Sequence, residues 1–67
     1  MTHTIQAHRQ GEWRRLAEFT DHGLARVSFI RLREARESRL KRGLSAPHYR
    51  VVDSSGAVIH WTEGAPL

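Results

Sequence analysis

Glu12-Trp13-Arg14-Arg15-Leu16-Ala17-Glu18-Phe19 is the stretch on which the fold turns, because it satisfies two periodicities at once. As a strand it places Trp13, Ala17 and Phe19 on one face, but Arg15 falls on that face too and spoils the alternation. As a helix it aligns Trp13, Leu16, Ala17 and Thr20 at i, i+3, i+4 and i+7. A helix here would make Thr20-Asp21-His22-Gly23 a turn before a second helix, the outline of a helix-turn-helix followed by a hairpin wing. A strand would instead pair with Thr4 to His8 through Arg9-Gln10-Gly11-Glu12, with Gly11 supplying the positive φ that short hairpin turns need. We take the hairpin, because Thr4-Ile5-Gln6-Ala7 itself reads as a strand and needs a partner close in the chain.

The segment that follows, from about Asp21 to Arg42, is long and periodic enough to be one helix. Thr20 and Asp21 supply side-chain oxygens for the orphan amides of its first turn, and Gly43 tolerates the left-handed residue that ends it. At about 100° per residue, Leu24, Ser28, Leu32, Ala35 and Arg39 form the expected core stripe, with Ala25 and Val27 beside it. Arg33, Glu37 and Lys41 repeat at i, i+4 on the other side, the spacing of a solvated face laced with ion pairs. Phe29, Ile30 and Leu40 lie at or beyond the margin of the stripe, which makes them candidate contacts to a partner protein or a second copy of the chain.

The last third predicts a second hairpin, His48 to Val52 and Ala57 to Trp61 around Asp53-Ser54-Ser55-Gly56. With Gly56 as a left-handed bulge residue after a type I turn, Asp53 pairs with Ala57, Tyr49 faces Trp61 and Val51 faces Ile59. Those four larger residues then meet the helix, while Arg50, Val52, Val58 and His60 line the opposite side. The expected fold is therefore α+β in the order β-β-α-β-β, a small antiparallel sheet of two β-hairpins with one long helix packed on one face. Residues 1–61 form a single domain and Thr62 to Leu67, with Gly64 and Pro66, a C-terminal tail.

A chain of 67 residues leaves little room for a deep cleft, and a domain of this size holds only about 3–5 kcal/mol of core stability. It has no cysteine, hence no disulfide framework and no thiolate zinc site. No apolar run has the length of a signal peptide core or a membrane span, so the expected setting is cytoplasmic, with no membrane partner. The five histidines show no H-x-H, H-x-x-x-H or H-E-x-x-H spacing, and only His48 and His60 can approach across a hairpin, so no metal site is assigned. The seven carboxylates all have caps, turns or helix pairs to serve, and neither a phosphate-binding glycine loop nor a serine nucleophile elbow is present. We expect no enzyme, no cofactor and no small-molecule substrate.

What remains is a basic surface: the formal charge is +4 and ten of the eleven bases are arginine, whose fork matches phosphate and carboxylate. On the outer sheet face Arg14 and Arg50, with Gln6 and His60 beside them and Arg9 at a turn, are candidate contacts to nucleic acid or a nucleoprotein complex. The alternative is a protein-interaction module, such as a small inhibitor or adaptor of the phage or mobile-element type, docking on an acidic protein surface or on itself. Its candidate anchors are Phe29, Ile30 and Leu40, with Arg33, Arg36 and Arg39 on the rim. The turn and cap signals are generic, and no motif points to a family.

Overall fold

Residues 12–19 form a strand, and a β-bulge reconciles Arg15 with the strand pattern. In the computed structural model, which describes residues 1–67, the elements run β1 (His3–Arg9), β2 (Glu12–Phe19), α1 (His22–Lys41), β3 (His48–Asp53) and β4 (Val58–Trp61). The strands make one antiparallel sheet in the order β2-β1-β3-β4. Ala17 pairs with Ile5, but Arg15 pairs with Gln6, so Leu16 is an extra residue that shifts the parity of the strand. Ala17 and Phe19 therefore stand in rows with Ile5 and His3, while Trp13 and Arg15 stand in rows with His8 and Gln6. The turn joining β1 and β2 has positive φ at both Gln10 (53°) and Gly11 (79°), the two left-handed residues of a type I′ hairpin.

The ends of α1 follow the predicted caps. Asp21 Oδ1 accepts from Gly23 N–H at 2.8 Å, and Gly43 adopts φ 75°. Gly43 N–H donates to Leu40 O and Leu44 N–H donates to Arg39 O, both at 3.0 Å, the paired bonds of a Schellman end.

The face that α1 buries overlaps the predicted stripe only at Leu32 and at Ala25 beside it. Ala25 and Phe29 are its buried residues, with Leu32 packed partly against the core, whereas Leu24 is 58% exposed and Ala35 is exposed. The helix is turned by roughly one residue's angle, because an aromatic ring removes more apolar surface from water than a leucine. Ala25, at 0% exposure, completes that face. Phe29 joins Ile5, Ala7, Tyr49 and Val51 in one cluster, with Phe19, Leu32 and Ile59 packed at its edge.

The second hairpin turns as expected, with Gly56 at φ 86° and Asp53 N–H donating to Ala57 O at 2.9 Å. Beyond the turn its register departs from expectation. Val52 pairs with Val58, but Val51 pairs with His60 and Arg50 with Trp61, so Ile59 is an extra, bulged residue. The expected pairs Tyr49–Trp61 and Val51–Ile59 do not form: His60 turns to the helix side and Trp61 is left half exposed.

The same slip draws Thr62, assigned to the tail, into the structure at 1% exposure. Its N–H donates to Tyr49 O at 2.9 Å, and its Oγ1 accepts from Tyr49 N–H at 3.1 Å. Farther on, Pro66 O accepts from Trp13 Nε1–H at 3.2 Å, tying the end of the chain to β2. Thr62→Val keeps the shape and removes a buried hydroxyl that serves several partners. We expect it to cost about 1–3 kcal/mol and to lower the thermal midpoint by roughly 5–20 °C, read by circular dichroism.

Candidate nucleic-acid interface

Residues opposite one another in an antiparallel sheet share a face, so the register places each candidate side chain. Arg15, Gln6, Arg50 and Trp61 form one cross-strand row on the face away from the core, and Trp13, His8 and His48 form the next. Arg50 is the centre of this face. Its Nε–H donates to Gln6 Oε1 at 2.7 Å, its guanidinium carbon lies 4.2 Å from the Trp13 ring centroid, and His8 meets the same ring edge-on at 5.0 Å. Arg50 is thus fixed by partners of its own while keeping its charge.

Two of the expected companions of Arg50 lie elsewhere. Arg14 stands opposite Ala7 in the helix-facing row and pairs with Glu12 at 3.2 Å. His60 stands opposite Val51 and stacks on Phe29, with centroids 5.7 Å apart. The two bulges, at Leu16 and Ile59, are the reason, since each reverses the facing of the residues beyond it. Arg9 is exposed at the β1–β2 turn, as expected.

The protein-contact residues divide as well. Phe29 is a core side chain at 3% exposure and cannot anchor a partner. Ile30 is half-buried, and Leu40 is exposed. Arg39 Nε–H donates to Ser45 O at 2.9 Å.

Arg33, Arg36, Glu37, Leu40 and Lys41 of α1 instead face Trp61, Thr62 and Glu63 across an open groove of about 900 Å³. Arg36 is held there by a defined network. Its Nε–H donates to Pro47 O at 3.1 Å and its Nη2 reaches His48 Nε2 at 3.2 Å. A guanidinium only donates, so His48 Nε2 is the acceptor and His48 carries its proton on Nδ1, which donates to Thr62 Oγ1 at 2.9 Å. The predicted ladder Arg33–Glu37–Lys41 does not close into ion pairs, for the two ion pairs of the chain, Arg14–Glu12 and Arg15–Glu18, both lie within β2.

Trp61 is the groove residue that sequence reasoning missed as a site, having been placed in the core by the expected register. The exposed face of Trp61 has no separate signal in the sequence, because a bulge in a four-residue edge strand leaves no mark on composition. His3 and His22, which approach His60, carry no spacing signal of their own in the sequence.

Two histidines are held below the ordinary histidine value of about 6.5. Burial is the main cause for His48, followed by the charges of Arg36 and His8. Burial again leads for His60, followed by His22, Arg26, Arg33 and His3. A depressed histidine takes up fewer protons in the folded chain than in the unfolded one. Stability is therefore complete above about pH 6.5 and declines as pH falls from there to the lowered native values. We expect the urea midpoint to be lower at pH 5.5 than at pH 7.5; equal midpoints would contradict this. Asp53 acts in a separate window, below the ordinary carboxylate range of about pH 3.9, because Ser55 Oγ–H and Ala57 N–H bonds favour its charged form.

No protein-family model matches the chain, and neither a curated protein nor a solved structure is significantly similar to it. No helix is long and apolar enough to cross a membrane.

Proposed function

We propose that the chain is a non-catalytic module that binds single-stranded nucleic acid in the groove between α1 and β4, with Arg33, Arg36 and Lys41 on phosphates and Trp61 against a base. The observation that carries this is a mismatch of charge. Residues 22–42 hold seven of the eleven bases against two acids, and none of those seven is in an ion pair. A basic helix whose charges are not neutralised by ion pairs raises the local concentration of polyanions. Trp61, half exposed on the edge strand where the groove meets the outer sheet face, favours unstacked bases, which a single strand offers and a duplex does not. Trp61 is also opposite Arg50, so a strand leaving the groove would meet the charged outer face of the sheet.

Fluorescence anisotropy with single-stranded and duplex oligonucleotides, over a salt series, tests this. Three phosphate contacts on a single strand predict a slope of log affinity on log salt of about −2, and Arg33→Ala should reduce its magnitude by about 0.7. Absence of binding to either form at low salt would refute the proposal.

A further inference from the structure

Three imidazoles gather where the start of α1 meets β1 and β4. The His3 and His22 ring centroids are 5.0 Å apart, and those of His22 and His60 are 5.7 Å apart with the planes 10° from parallel. The Nε2 atoms of His22 and His60 lie 3.4 Å from each other. His3 is buried, and its Nδ1 has no hydrogen-bond partner. A shallow hollow of about 230 Å³, lined by Phe29, Arg33, Ile59, His60 and Trp61, opens beside them.

The charges that act on His60 have one sign. The groups that act on His60 are His22, Arg26 and Arg33 of α1 and His3 of β1, with no carboxylate among them. Asp53 is within electrostatic reach of His3. Its Oδ1, however, already accepts from Ser55 N–H, Ser55 Oγ–H and Ala57 N–H. Two ring nitrogens facing one another accommodate a single proton between them; a second would set N–H against N–H beside two guanidiniums. A metal cation in the same place would meet the same repulsion, and no set of three or more ligands surrounds it. An anion reverses the balance, since it offsets Arg26 and Arg33 and, once one further proton is bound, accepts an Nε2–H from each of the two rings.

We propose that His22, His60, Arg26 and Arg33 form a proton-linked anion site, at which a bound phosphate draws one additional proton onto the histidine pair. The identity of the phosphate as part of a nucleic acid rests on the function proposed above. The linkage itself rests on the cluster. If one proton is taken up per phosphate, affinity rises by up to about 10-fold for each unit that pH falls, between the free and bound values of the pair.

Two probes are needed, a short fluorescent oligothymidylate and inorganic sulfate, neither of which changes its own charge between about pH 6 and pH 8. Anisotropy at constant ionic strength should give an oligonucleotide affinity that climbs as pH falls. His22→Asn and His60→Asn should flatten that slope and His8→Asn should not, with circular dichroism confirming that each variant is folded. Because His22 is exposed at the first turn, His22→Asn keeps the test available should His60→Asn unfold. In histidine NMR titrations, sulfate should raise the apparent pKa of His60 relative to chloride of equal ionic strength. An oligonucleotide that binds with pH-independent affinity, or with a slope that survives both substitutions, overturns the anion site and leaves the nucleic-acid reading standing. Sulfate raising the His60 pKa in wild type but not in His22→Asn, with no oligonucleotide bound at any pH, supports the site and removes nucleic acid as its ligand.

Discussion

Phe29→Ala should leave the chain largely unfolded at 25 °C. The ring is 3% exposed and touches both central strands through Ile5, Ala7, Tyr49 and Val51. Emptying such a site costs about 3–5 kcal/mol, transfer and cavity together, which equals the whole stability available to a core of this size. The outcome to look for is loss of the far-UV helical signal and of a cooperative thermal transition. Leu24→Asp is the matched control on the same helix. With a side chain 58% exposed, it should shift the midpoint by no more than a few degrees. If Leu24→Asp unfolds the protein and Phe29→Ala does not, the helix faces the sheet with the other stripe.

Trp61→Ala should weaken single-strand binding by roughly 5- to 150-fold, the range expected when one base loses its aromatic platform at about 1–3 kcal/mol. The loss should be similar across sequences, because every base has a π face, and it should leave the salt slope nearly unchanged, since no phosphate contact is removed. That pattern separates Trp61 from Arg33, whose removal should change the slope. Folding should survive, because Trp61 is half exposed on an edge strand and contributes little to the buried cluster. A binding constant unaltered by Trp61→Ala would place the bases away from the α1–β4 groove.

The candidate site was only partly legible beforehand. Arg33, Arg36 and Leu40 were singled out as contact residues and do line one groove. They were grouped with Phe29, however, because the helix was assigned the wrong buried stripe. Arg50 and Gln6 were placed together on the outer sheet face, and they are hydrogen bonded there. Arg14 and His60 fall on that face only in a register without the bulges at Leu16 and Ile59. Each error is one of phase. What the pattern of residue types does not carry is the direction in which these side chains point.

The sequence by itself determined the long helix and its caps, the second hairpin and the positive-φ glycines of the two hairpin turns, while residues 12–19 satisfied both a strand and a helix period. These are local matters: an Asp oxygen reaches an amide two residues away, and a glycine adopts φ near 80° without its neighbours' help. Tertiary structure decided which stripe of α1 is buried, where Leu16 and Ile59 interrupt the ladders, and that Thr62 belongs to the interior. Those choices depend on how a helix packs on a sheet, and on the hydrogen bonds that join Tyr49 and Thr62. Both quantities arise between segments far apart in the chain, where side-chain periodicity carries no information. The histidine cluster has the same origin. His3, His22 and His60 meet only because the start of β1, the first turn of α1 and the end of β4 converge at one edge of the fold.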